Sequence, residues 1–152
     1  EFELPDAIKL LSKGEKMHCI RAKQWLPIAY PWDLLEADKI LRKGKNIIGK
    51  NSEIYGKVEN SSVGNNCKIK GTVKNSIIMD NSVIDEDSIV EDSVIGENVY
   101  FSGKIIHKEI KINKFGAVAG DNVKAKDILI NAGCKIWPNK IVSNKTIIKD
   151  LI

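Results

Sequence analysis

The sequence predicts a mainly β protein built as a solenoid, and three observations carry that prediction. One stretch recurs: Ser61-Ser62-Val63-Gly64-Asn65-Asn66-Cys67 returns as Ser76-Ile77-Ile78-Met79-Asp80-Asn81-Ser82 and again as Ser93-Val94-Ile95-Gly96-Glu97-Asn98-Val99, offset by 15 and then 17 residues. Internal self-similarity of this kind marks stacked repeat architectures. Within and beside each copy an aliphatic residue at i is followed at i+4 by a small or β-branched one: Val63 and Cys67, Ile69 and Val73, Ile78 and Ser82, Ile84 and Ser88, Ile95 and Val99. Between them Gly, Asn and Asp cluster, which supply turn and left-handed backbone at low cost. Each unit is therefore a short strand plus a turn. No helical period fits, since a helix needs apolar residues at i, i+3, i+4 and i+7 over a longer window. One such strand cannot bury its apolar face alone, but stacked copies can. A β-sandwich is the competing arrangement, yet sandwich strands do not repeat their turn chemistry in register.

The i, i+4 unit opening with Ile-Gly or Val-Gly resembles the hexapeptide repeat of left-handed parallel β-helices. The resemblance implies a triangular prism in which three hexads make one coil, with i pointing inward and i+4 filling the corner. Offsets of 15 and 17 fall short of three hexads, so a shortened side or tightened corner is expected in those coils. Ile48 with Ser52 and Ile54 with Val58 begin the series, and residues 47–152 are expected to hold about five coils. Past Val99 the pattern breaks, and Tyr100 to Ile112 alternates as a strand or loop. It resumes at Ala119–Val123, Ile130–Cys134, Ile136–Lys140 and Val142–Thr146, with Trp137-Pro138 at a corner. The closing residues, 147–152, are expected to cover the open end of the core, where strand groups are otherwise unpaired.

Composition narrows the function classes. The 152-residue chain is highly charged but nearly balanced, net +4, with basic residues spread rather than blocked. That argues for a solvated surface and no nucleic-acid partner. Cys19, Cys67 and Cys134 are odd in number and far apart, and the last two occupy i+4 positions, so core packing explains them better than a disulfide or a metal site. No apolar run is long enough for a membrane span and no signal peptide is seen, which with the cysteines suits a reducing cytoplasm. The chain opens at Glu1 without a methionine and reads as part of a longer protein.

Upstream of the repeats, Pro5 and Asp6 suit a first helical turn, Ala7, Ile8, Leu10 and Leu11 form an apolar face, and Ser12-Lys13-Gly14 ends the helix. Met17 to Ala22 reads as a short strand. A second helix starts at Asp33, has Leu34, Leu35, Ala37, Ile40 and Leu41 on its apolar side, and closes at Arg42-Lys43-Gly44-Lys45. Glu1 to Ile8 resembles the G-E-x-x-[IL]-T-D-x-I segment of sugar-phosphate nucleotidylyltransferases, and Trp25 to Leu35 resembles their W-x-D-[IV]-G-x-P-x-D-L-L segment. Trp25, Pro31, Asp33, Leu34 and Leu35 match. The resemblance divides the chain into a small α/β remnant of the catalytic domain (1–33), a connecting helix (34–46) and the β-helix (47–152). It implies that Glu1 contacts sugar phosphate. It also implies Mg2+ in a full-length enzyme, yet the motif's metal-holding aspartate is Pro27 here and its glycine is Ala29. No metal ligand is assigned in this chain, no cofactor is expected in it, and no nucleotidyl transfer is expected from it alone. Nucleotide and sugar phosphate would be met through the upstream part.

Relatives of this architecture often carry a second activity, acetyl transfer from acetyl-CoA to an amino sugar phosphate at clefts between subunits of a trimer. Ile95 to Val99, Asn113 to Gly116 and Gly120 to Val123 resemble that segment. Lys114 and Asn122 are then the acetyl-CoA- or phosphate-binding candidates, with Lys114 also a catalytic one. The family's G-x-G-T-x-x-x-N loop is Phe101 to Ile106 here, shorter and without its asparagine. His107 is the candidate general base, since an imidazole titrates near neutrality. No histidine matches the family's catalytic one, however, and a plain exposed loop residue is the alternative for His107, as a solvated lysine is for Lys114. Three functions follow: the β-helix portion of a nucleotidylyltransferase serving assembly as a homotrimer, an acyltransferase at trimer clefts, or a scaffold without ligand.

Overall fold

A computed structural model describes residues 3–106 and 115–152. Two short helices precede the strands: α1 (Leu4–Leu11) and α2 (Asp33–Arg42). The first coil holds β1 (Ile47–Ile48), β2 (Glu53–Ile54) and β3 (Lys57–Glu59), and the second β4 (Ser62–Val63), β5 (Lys68–Ile69) and β6 (Thr72–Lys74). The third holds β7 (Ile77–Ile78), β8 (Val83–Ile84) and β9 (Ile89–Glu91). In the fourth and fifth, β10 (Val94–Ile95) is followed by β11 (Tyr100–Ile106), and β12 (Ala117–Ala119) by β13 (Lys124–Asn131). The last rung is β14 (Cys134–Ile136), β15 (Ile141–Ser143) and β16 (Thr146–Ile147).

All pairings are parallel. The first face is the sheet β1-β4-β7-β10-β12-β14, so about five full turns separate its ends. The second and third faces merge because β11 and β13 run round the corner between them: Tyr100 pairs with Val83 on β8, and Lys104 with Ile89 on β9. The corner is turned at a bulge between Phe101 and Gly103, where any Cβ on Gly103 would lie 2.1 Å from the Ile128 carbonyl oxygen.

From Val63 onward the i, i+4 pairs form the core, whereas Ile48 and Ile54 of the first coil are exposed because no earlier rung covers them. Val63, Cys67, Ile69, Val73, Ile78, Ser82, Ile84, Ser88, Ile95 and Val99 are all buried. The pattern also continues where the sequence suggested a break, because Phe101 and Ile105 are buried at the same spacing. The short coils are explained at one corner. In the third coil the inward series runs Ile84, Ser88, Val90, whereas in the second it runs Ile69, Gly71, Val73, with two residues fewer between the first and second of these. The second-to-third corner of the second coil is therefore the tightened one. The last coil departs from expectation: Thr146 is exposed and Ile147 is buried instead, because Ile147 pairs with Ile130 on the third face.

Two polar columns hold the rungs together. The repeated serines line the third corner: the Ser76 amide donates to Ser61 Oγ (3.0 Å), the Ser93 amide to Ser76 Oγ (3.1 Å) and the Ala117 amide to Ser93 Oγ (2.8 Å). Each of these hydroxyls also donates to a backbone carbonyl two residues earlier. At the first corner Asn51, Asn66, Asn81, Asn98, Asn122 and Asn139 all take positive φ, and side-chain amides bond from rung to rung. Asparagine tolerates that backbone and supplies a donor and an acceptor in fixed register.

The termini differ from expectation in two ways. Met17 to Ala22 forms no strand, and Ile20 is 95% exposed, because a strand needs a neighbour and none is present among the described residues. α2 does not present all its apolar residues to the prism: Ala37 and Arg42 are buried, while Leu41 stays out. The small Ala37 lets the helix approach closely, and polar bonds fix the rest. Asp38 accepts from Ser62 Oγ and pairs with Arg42 Nε at 2.5 Å. At the other end Leu151 begins a further rung by pairing with Ile136. Among the described residues no helix is long and apolar enough to cross a membrane.

Candidate functional site

The fourth coil is the longest. Glu97 bonds to Asp121 one turn on, a separation of 24 residues, where neighbouring turns span 15 or 17. The extra length lies between Ile106 at the end of β11 and Ala117 at the start of β12, which places an insertion at the third corner. Its base is firmly held. The Ile106 carbonyl accepts from the Ala132 amide (2.9 Å), the Gly116 amide donates to Asp92 O (2.6 Å), and Gly116 O accepts from the Gly133 amide (2.6 Å). A Cβ on Gly116 would sit 2.0 Å from Glu91 O, so the backbone returns to the prism at a point only glycine fits.

Beside Gly116, Phe115 is buried against Trp32, ring centroids 4.7 Å apart and 4° from parallel. Tyr30 stacks on Trp32 at 4.7 Å and 9°, and Lys135 Nζ lies 5.4 Å from the Trp32 centroid. Aromatic stacks and cation–π contacts of this geometry add to the area they bury. The segment before α2 is thereby docked on the coil that carries the insertion. Asp33 organises that segment, since its Oδ2 accepts the Ala29 and Tyr30 amides at 2.9 Å each.

Of the candidate residues, Glu1, His107 and Lys114 lie outside the described residues. Asn122 lies in the first-corner column, where its Oδ1 accepts from Asn98 (3.4 Å) and its Nδ2 donates to Asn139 (3.0 Å). Among the described residues the donors present do not fit the Mg2+ of a full-length nucleotidylyltransferase. Pro27 has no side-chain ligand atom, and among the described residues no group of three or more His, Cys, Asp or Glu is placed to hold a metal ion. Cys67 and Cys134 are buried as core residues, and burial pushes both thiols up from their ordinary range.

A second feature escaped the sequence. A groove of about 740 Å³ runs along the third corner, with α2 as one wall and Asn60, Asn75 and Asp92 as the other. Those three residues take positive φ in successive coils. Their 15- and 17-residue spacing was legible in the chain, but nothing in it placed α2 beside them.

Stacked parallel rungs with i, i+4 core pairs define a hexapeptide-repeat β-solenoid protein. The GMPPB C-terminal domain family matches residues 42–152, and the chain belongs to that family. Among curated relatives, the bifunctional protein GlmU of Methanococcus aeolicus is 30% identical across 99% of this chain and 51% of its own length. The GlmU of Methanocaldococcus jannaschii is 33% identical across 91% and 48%. A bifunctional sugar-1-phosphate nucleotidylyltransferase/acetyltransferase of Sulfurisphaera tokodaii is 28% identical across 94% and 52%. The chain thus spans about half the length of the curated relatives it matches.

Proposed function

We propose that this chain is the C-terminal solenoid portion of a cytoplasmic sugar-phosphate nucleotidylyltransferase, which joins a nucleoside triphosphate to a sugar 1-phosphate. The supporting observation is the continuity of a nucleotidylyltransferase-like segment, Trp25 to Leu35, with a solenoid of the GMPPB C-terminal family, the two docked through Trp32 and Phe115. Nucleotide, sugar phosphate and Mg2+ belong to the upstream part. The solenoid serves assembly as a homotrimer, whose closed symmetry suits flat prism faces. Sedimentation of the purified chain tests this, and a monomer at all concentrations sinks the assembly role.

A second reading is supported by the insertion in the fourth coil and by the acetyltransferase named in the Sulfurisphaera relative. In it, acetyl-CoA and an amino sugar phosphate meet at a cleft beside the insertion, Lys114 pairs with a phosphate and His107 takes the proton of the attacking amine. The amine then attacks the thioester carbonyl and coenzyme A leaves as the thiol. Calorimetry with acetyl-CoA, with and without glucosamine 1-phosphate, distinguishes the readings. Binding that weakens in Lys114→Ala supports acyl transfer, and no heat in any cell leaves the solenoid as an assembly module.

A further inference from the structure

The groove beside α2 ends on an unusual arginine. Arg42 is 6% exposed, and arginine is almost never that buried unless paired. Nε meets Asp38 Oδ2 at 2.5 Å and Nη1 donates to the Lys45 carbonyl at 3.2 Å, which fixes the plane of the guanidinium. Nη2 has no protein partner among the described residues, and Arg42 lines the groove. Lys39, one turn earlier on the same wall, and the Asn60 amide on the opposite wall also lack side-chain partners among the described residues. A preorganised guanidinium with an ammonium and an amide beside it suits the planar array of oxygens on a phosphate.

The other half of the groove has the opposite character. Glu36 and Asp92 face it with Asn75, whose Nδ2 donates to Asp92 Oδ1 at 3.1 Å, and Asp33 lies beyond, engaged with the Ala29 and Tyr30 amides. At 1.5 Å per residue, Glu36 and Arg42 are about 9 Å apart along the helix. The C-terminal end of α2 by itself disfavours an anion, so the basic half rests on its two cationic side chains. Carboxylates and amides at the acidic half are the acceptors and donors that hydroxyl groups require. The volume falls within the range of small-molecule sites.

We propose that this groove is a binding site for a hydroxylated phosphate monoester, with the phosphate at Lys39, Arg42 and Asn60 and the hydroxyls at Asn75, Asp92 and Glu36. It rests on α2 and the third-corner residues Asn60, Asn75 and Asp92, and does not depend on the acyl-transfer reading.

The test titrates glucose 6-phosphate, inorganic phosphate and glucose into the purified chain, with affinity read by calorimetry and location by amide NMR shifts. Arg42→Ala removes a buried ion-pair partner and risks the fold, so the variants are the exposed Lys39→Ala and Asn60→Asp, the latter keeping a residue that tolerates positive φ. The expected result is shifts concentrated at Gly44, Asn60 and Asn75, and affinity for glucose 6-phosphate lowered about tenfold or more in each variant, as loss of a bond to a charged group implies. Unchanged affinity in both variants, or shifts elsewhere, overturns the site. Inorganic phosphate binding as tightly as glucose 6-phosphate overturns the hydroxyl half.

Discussion

The solenoid and the arm that precedes it use apolar residues of the same kinds and treat them oppositely. From Val63 to Ile147 the inward positions are buried, and each rung is covered by the next. In the arm, α1 buries no residue, and Leu4, Ile8, Leu10 and Leu11 stand in solvent although they are spaced for one face. A rung finds its partner 15 to 24 residues away in its own chain. An amphipathic helix needs a surface that its own sequence does not supply. The arm gains its anchors farther along, where Trp32 meets Phe115 and where Asp38 accepts from Ser62.

Four measurements break or sharpen that contrast. Ile95→Ala opens a cavity in the middle of the stack and is expected to cost about 2–5 kcal/mol by urea unfolding, whereas Ile8→Ala stays within about 0.5 kcal/mol. Equal costs would mean that α1 is packed. Ser76→Ala leaves the Ser93 amide without its acceptor, with an expected cost of about 1–3 kcal/mol. Restoration by Ser76→Thr would show that the hydroxyl matters rather than the volume. Trp32→Ala removes a stack worth about 0.5–1.5 kcal/mol and should speed amide exchange in α2 while leaving β4 to β9 protected. Slowed or unchanged exchange in α2 would place its anchorage on Asp38 and Arg42 alone.

The smallest effect concerns acid. Asp85 accepts from Tyr100 Oη and pairs with Lys70 Nζ at 3.1 Å. The Tyr100 hydroxyl first, then the Glu86 amide and Lys70, hold its pKa down to about 2 from 3.8. A depressed carboxylate contributes stability above its unfolded pKa and loses it as pH falls through the folded one. Asp85→Asn should therefore flatten the stability profile between about pH 4 and pH 2, by less than about 1 kcal/mol because the cluster is partly exposed. An unchanged profile would show that Asp85 gains nothing from its partners.

Much of the solenoid was legible because its information is local and repeated. The i, i+4 pairs located the core from Val63 to Val99, and the short offsets announced a tightened corner. Legibility failed where one copy had no equal to compare with. Phe101 and Ile105 keep the pattern through a bulge that no repeat displays, and at the last coil the inward position moved from Thr146 to Ile147. The candidate sites were less legible still. Lys114 and Glu1 were named from resemblance and His107 from the chemistry of its imidazole, and all three lie outside the described residues. Asn122 was named from resemblance and stands in a column of asparagines. Arg42 read as no more than a basic helix end.

The sequence by itself determined the class of fold, the course of the rungs and the positions of the turns, because alternation and turn chemistry act over a few residues and recur. Tertiary structure alone decided that α2 lies along the third corner, that Trp32 stacks on Phe115, and that Arg42 is buried in a groove shared with Asn60, Asn75 and Asp92. Those contacts join residues as much as 83 positions apart, Trp32 to Phe115 being 115 − 32. No local pattern encodes them. They depend on which surface of the finished prism a single, unrepeated helix can approach closely enough to bury an alanine.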